Sequence, residues 1–157
     1  MKKKLIRISI AVCICLAIGI LSGIVTQSGM STWYPALIKP AFTPPKWVFG
    51  PVWIILYCLM GIAAGIVWSR GFYHKWVKVA LYHFGFQLLL NAAWSILFFG
   101  LRSPILAFLD ITALFILVLF TIKWFKVVNK IAAYLLIPYA VWIAFAAILN
   151  YSIWQLN

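Results

Sequence analysis

The sequence predicts an all-α membrane protein, a single bundle of five transmembrane helices with a Pro-rich loop capping a ligand cavity. Three observations carry the prediction. Of 157 residues, 67% are apolar or aromatic, against roughly 45–50% in soluble domains. Only 9% are charged, where a soluble domain carries about 25%. The apolar residues also gather in five runs of about twenty, the length that crosses a bilayer core of about 30 Å as a helix.

The runs place helices at about 5–26, 47–68, 76–99, 104–124 and 131–154. The first follows Lys2, Lys3 and Lys4 and has the look of a signal peptide, but it continues to about Val25 without an Ala-x-Ala cleavage site. That makes it a spanning helix. The second opens at Trp47 and closes at Trp68, and the third runs from Trp76 to Phe99. Breaks at Gly100 to Ser103 and Lys126 to Lys130 are short enough to force antiparallel neighbours around the fourth helix. In the fifth, Pro138 is expected to bend the helix one turn before Trp142. No repeat relates one half of the chain to the other, which weakens the case for a transporter built from inverted halves.

The connection at residues 27–46, QSGMSTWYPALIKPAFTPPK, is different: it is long and carries Pro35, Pro40, Pro44 and Pro45. Such a loop in a compact bundle is expected to be a lid or binding surface, and its prolines lower the entropy cost of ordering it.

Thirteen Lys and Arg face one acid, Asp110, for a net charge of +12. Because the basic residues sit between apolar runs, they set membrane orientation, and no nucleic-acid partner is expected. Ten lie on the side of Lys2 and Arg7, and three (Lys39, Lys46 and Arg102) on the lid side. The N-terminus is therefore expected inside and the C-terminus outside, in a plasma or inner membrane. Cys13, Cys15 and Cys58 all lie in apolar segments and read as free thiols, with no zinc site or disulfide framework.

Polar groups at membrane depth are costly and each needs an account. His83, Gln87, Asn91, Trp94 and Phe98 recur at helical spacing along one face of the third helix, while Trp53 and Tyr57 share a face of the second. Trp142, Ala146 and Leu149 share a face of the fifth, with Asn150 beside it. At 1.5 Å per residue, Trp53 and Asp110 lie about 9 Å below the lid end, Ala146 about 10 Å, Asn91 about 14 Å and Trp142 about 16 Å. This convergence predicts one aromatic cavity under the lid, suited to a large flat ring system that stacks on indoles. Asp110 reads either as a structural hydrogen-bonding group or as a pocket acid, and Lys39 and Lys46 either as headgroup lysines or as partners for ligand carboxylates. His74 and His83 are distant from the inferred cavity, and no metal site is expected. The pairs Gly19/Gly23 and Gly61/Gly65 permit close helix approach within the bundle or across a dimer.

The runs WYPALIKPAFTPPKWVFGPVWIILYCLMG (33–61), QLLLNAAWSILFFG (87–100) and PYAVWIAFAAILNYSIW (138–154) resemble the translocator protein family, the tryptophan-rich sensory proteins and peripheral-type benzodiazepine receptors. The resemblance covers nearly the whole chain and is closest to bacterial members. It implies a five-helix receptor, usually a homodimer, that binds protoporphyrin IX, haem and benzodiazepine or isoquinoline compounds. In bacterial members it also implies light-dependent porphyrin degradation, for which Trp53 and Trp142 would be the catalytic indoles. Matched by motif, the ligand-binding residues would be Tyr34, Trp53, Tyr57, Asn91, Trp94, Asp110, Trp142, Ala146 and Leu149. Cholesterol, a ligand in animals, is not expected, because LNYSIWQ (149–155) lacks the basic residue of the proposed motif. No obligatory cofactor is implied. The alternative is a small-molecule transporter, or a sensor or scaffold, with Asp110 as the coupling residue.

Overall fold

The computed structural model describes residues 2–157. Among them the chain is all helical: α1 (Lys2–Thr32), α2 (Lys46–Ser69), α3 (Lys75–Ser95), α4 (Pro104–Val128), α5 (Lys130–Leu135) and α6 (Ile137–Leu156). With α5 and α6 taken together, five helical stretches are long and apolar enough to cross a membrane. The predicted fold class therefore stands, and the chain is a multi-pass membrane protein.

The first boundary differs from expectation. α1 continues through Thr32, so the lid loop is shorter than 27–46 and begins at Trp33. The polar residues that suggested a loop are absorbed into the helix. Ser28, Ser31 and Thr32 donate to carbonyls three or four residues back, at 2.7–3.3 Å, and the first proline is Pro35. Serine and threonine satisfy themselves this way in a helix and do not end it. At 31 residues, α1 is about 46 Å long and extends beyond a hydrocarbon core of about 30 Å.

Two irregularities shape the site. α3 leaves α-geometry at Ile96–Gly100, a π-helical turn that buries Phe98 and Phe99. The expected bend at Pro138 is present as a break between α5 and α6 at Leu136. Proline has no N–H to give to the carbonyl four residues back, and its ring crowds that carbonyl. Leu136 caps the ended helix, and Pro138 sits in the first turn of the next, where a missing N–H costs nothing.

The packing of α1 on α2 is closest at the end away from the lid. A Cβ on Gly61 would lie 2.4 Å from Val12 Cα, and one on Gly65 2.4 Å from Ile8 Cα. Gly19 receives the ring of Tyr57, which a Cβ would meet at 2.6 Å. Three of the four small residues therefore serve contacts within the bundle. Arg7 closes that end, donating to the Trp68 carbonyl at 3.1 Å with its guanidinium 5.7 Å from the Trp68 ring. Towards the lid the helices part: a Cβ on Gly23 or Gly50 would meet nothing within 4 Å. Here α1 leans instead on the π-turn of α3, where Gly29 touches Phe99.

Candidate ligand cavity

The parting of α1 from α2 leaves a cavity of about 670 Å³ in the lid half of the bundle, within the roughly 300–1,000 Å³ typical of small-molecule sites. It is lined by α1, α2, α3 and α6 together with the turn at Tyr34–Ala36. Eight of the nine residues expected to bind ligand line it: Tyr34, Trp53, Tyr57, Asn91, Trp94, Trp142, Ala146 and Leu149.

The ninth, Asp110, does not. It is half-buried on α4, which contributes no residue to the lining. One of its carboxylate oxygens, Oδ2, is buried without a hydrogen-bond partner. Height along a helix does not say which helix stands in front of which. α4 packs on α3 and α6, and only Ile111 and Leu114 reach a small crevice behind Trp53 and Trp94.

The wall that α4 does not supply comes from α1, which the sequence reading passed over. Ser22 and Thr26 line the cavity with Ser95 of α3; the Thr26 hydroxyl lies 2.9 Å from the Ser22 carbonyl oxygen and 3.4 Å from Ser95 Oγ. The rule that singled out Asn91 and Asp110, a polar side chain at membrane depth, applies equally to Ser22 and Thr26, one turn apart in an apolar helix. Phe49 and Phe98 are further lining residues.

The aromatic residues form a connected set. Trp53 meets Trp142 edge to face, with centroids 6.5 Å apart at 88°, and lies 5.6 Å from Tyr57. Trp94 stacks on Phe98 at 5.1 Å and 14°, and Phe49 meets Trp142 at 6.1 Å. The cavity is thus mostly apolar, with a connected aromatic set and a hydroxyl-bearing strip contributed by α1 and α3.

Most polar groups near the cavity are already committed. Asn91 accepts from the Tyr57 hydroxyl and donates to Tyr139 at 2.8 Å; Tyr139 in turn donates to Gln87 at 2.8 Å. This chain joins α2, α3 and α6 beneath the aromatic residues. Trp94 gives its indole N–H to Asn150 at 3.0 Å, and Asn150 donates to the Pro104 carbonyl at 2.8 Å. The amide oxygens of Asn91 and Gln87 and the Trp94 N–H therefore position the walls, and the Trp94 N–H is not a free ligand donor. Neither is Lys39: its ammonium donates to the carbonyls of Tyr34 (3.0 Å), Leu37 (2.7 Å) and Pro35 (3.5 Å) and lies 5.0 Å from the Tyr34 ring centroid. Lys46 does line the cavity.

Tyr34 carries a buried hydroxyl. It is 3% exposed, and its oxygen has no hydrogen-bond partner among the described residues. Burial pushes its phenol pKa up, so it stays a neutral donor through the neutral pH range. A buried hydroxyl without a partner is costly until something supplies one.

The histidines lie elsewhere. His83 has Nδ1 2.8 Å from the Val79 carbonyl and packs on Phe120 and Trp124, and His74 is exposed at the start of α3. Cys13, Cys15 and Cys58 are free.

These features define a class: a five-span membrane protein with a lidded, aromatic cavity in one half of its bundle. The profile of the TspO/MBR family matches residues 11–155, and the chain belongs to that family. It is 40% identical over 157 residues to the tryptophan-rich protein TspO of Chlorobaculum tepidum, covering 100% of this chain and 99% of that protein. To the tryptophan-rich protein TspO of Archaeoglobus fulgidus it is 43% identical over 155 residues, 98% and 99% of the two chains. To the human translocator protein it is 42% identical over 128 residues, 80% of this chain and 75% of that one. The names fit a receptor-like membrane protein.

Proposed function

We propose that this protein binds tetrapyrroles, protoporphyrin IX or haem, in the cavity beneath the lid, and that it also accepts isoquinoline and benzodiazepine compounds there. The supporting observation is the make-up of the walls: a mostly apolar surface in which Trp53, Tyr57, Trp94, Phe98 and Trp142 form a connected aromatic set. A flat conjugated ring stacks on such walls. Lys46, which lines the cavity, would meet a peripheral carboxylate. Because Asp110 is absent from the lining, binding is favoured over transport coupled through that acid.

The same reading places the N-terminus inside and the C-terminus outside a bacterial plasma membrane, and pairs two copies as a homodimer. Gly19, Gly61 and Gly65 are filled within one bundle, so the dimer must use another face.

Titration of the purified protein with protoporphyrin IX, followed at the porphyrin absorption band, tests the assignment. Saturable binding at one site per chain is expected, and its absence would refute it. Tyr34→Phe should leave binding within about twofold of the parent, because its hydroxyl is sealed from the cavity. It should not destabilise the empty protein, because it removes a hydroxyl that has no partner. Illumination of the complex reads the photochemical assignment to Trp53 and Trp142. Bleaching no faster than that of free porphyrin would remove it.

A further inference from the structure

The cavity has two boundaries that a ligand could cross, and they are built differently. The lid is fastened. Lys39 gathers three carbonyls of the turn that carries Tyr34, and Trp33 and Tyr34 pack on Phe98 at 5.3 and 6.4 Å. Beyond the turn, Ile38 is held at both backbone groups by one side chain on the neighbouring helix end. Its N–H donates to Asn157 Oδ1 at 3.0 Å, and its carbonyl accepts from Asn157 Nδ2 at 2.9 Å. Asn157 also donates to the Ile153 carbonyl at 2.8 Å, which fixes the amide in place.

The seam between α1 and α2 is not fastened in the lid half. It is shut below by backbone contact at Gly61 and Gly65 and by Tyr57 against Gly19. Above that level several cavity-lining residues of both helices are also surface residues: Ile20, Gly23, Gln27 and Ser31 on α1, and Lys46, Trp47, Gly50 and Ile54 on α2. Trp47 is 75% exposed. Gly23 and Gly50 have open space where a side chain would be. The edges are apolar from Ile20 to Gly23 and from Gly50 to Ile54, with Gln27, Ser31 and Lys46 polar at the lid end, and the apolar part faces the region that lipid chains occupy around a spanning helix.

We infer that ligands enter and leave this cavity sideways, from the leaflet on the lid side, through the gap between α1 and α2 edged by Gly23 and Gly50, while the lid stays fastened by Asn157. The inference rests on the cavity being a ligand site. A flat apolar ligand concentrates in the bilayer and reaches this opening by lateral diffusion. Opening the lid would break the two Ile38–Asn157 hydrogen bonds and uncover buried aromatic surface, whereas among the described residues no hydrogen bond ties α1 to α2 in the lid half.

The test separates route from affinity by measuring association and dissociation rates of protoporphyrin IX on the full chain in lipid nanodiscs. Gly50→Leu should slow both rates by about tenfold or more, because a side chain there narrows the opening in both directions. In a second variant, Ile38→Cys with Asn157→Cys is bridged by a short bifunctional maleimide, the bridge being confirmed by peptide mass spectrometry. With its lid held shut, this protein should still load and release porphyrin within about twofold of the unbridged rates. Loading slowed about tenfold by the bridge would overturn the inference, as would unchanged rates in Gly50→Leu. If the unaltered protein binds no porphyrin at equilibrium, the ligand assignment fails instead, and the route is read by the same rates with an isoquinoline carboxamide.

Discussion

Replacing both cavity indoles, Trp53→Ala with Trp142→Ala, is expected to reduce protoporphyrin affinity by about a hundredfold or more. Each indole presents an apolar face to the cavity, and losing such a contact costs about 1.5–3 kcal/mol, roughly tenfold or more per residue. The two rings touch, at 6.5 Å between centroids, so the double substitution should depart measurably from the sum of the singles. Absorption of the porphyrin is the appropriate readout, since seven of the nine tryptophans remain and would confuse a fluorescence signal. The variant must retain its helical circular dichroism. Folded protein with affinity within about twofold of the parent would remove these residues from the site.

The largest stability effects are expected at two glycines that line no cavity. Gly61→Ala and Gly65→Ala each introduce a carbon 2.4 Å from a backbone Cα of α1, where ordinary carbon contacts are about 3.5–4.0 Å. Backbone cannot rotate away as a side chain can, so the helices must separate. A loss of about 1–3 kcal/mol per substitution is expected, read as earlier thermal unfolding in detergent. The closed half of the α1–α2 seam forms the floor of the cavity, so ligand affinity should fall as well. Gly23→Ala provides the contrast: its added carbon meets nothing, and alanine is favoured over glycine in a helix by about 0.5–1 kcal/mol. If Gly61→Ala and Gly23→Ala unfolded at the same temperature, close α1–α2 packing would not be what holds this half of the bundle.

These two predictions rest on differently legible features. Trp53, Tyr57, Asn91 and Trp142 were accessible in the sequence because depth along a helix follows from residue count, and an indole or amide at that depth is rare enough to need a reason. The glycine pairs were visible as motifs, but their partners were not. Whether Gly61 meets α1 or a second copy depends on which surfaces face each other, and that is not written in the spacing. Asp110 is outside the lining for the same reason: residue count gives its height on α4, but α4 stands behind α3 and α6.

The boundary of α1 shows a separate limit. Serine and threonine signal a loop in composition, but at Ser28, Ser31 and Thr32 their hydroxyls bond to the preceding turn, and the helix continues. The hydrogen bonds that commit Asn91, Trp94 and Lys39 were equally out of reach. Each links residues on different segments or depends on how the chain folds back on itself.

What the sequence determined by itself is the set of five spans, the break at Pro138 and the depth of the aromatic residues, because a bilayer sorts residues by hydrophobicity and a helix converts number into height. Only the tertiary structure decided the order of helices around the cavity, the exclusion of Asp110, the contribution of Ser22 and Thr26, and the contrast between a fastened lid and an open α1–α2 seam. These depend on the rotation and tilt of each helix against its neighbours, which side-chain packing sets.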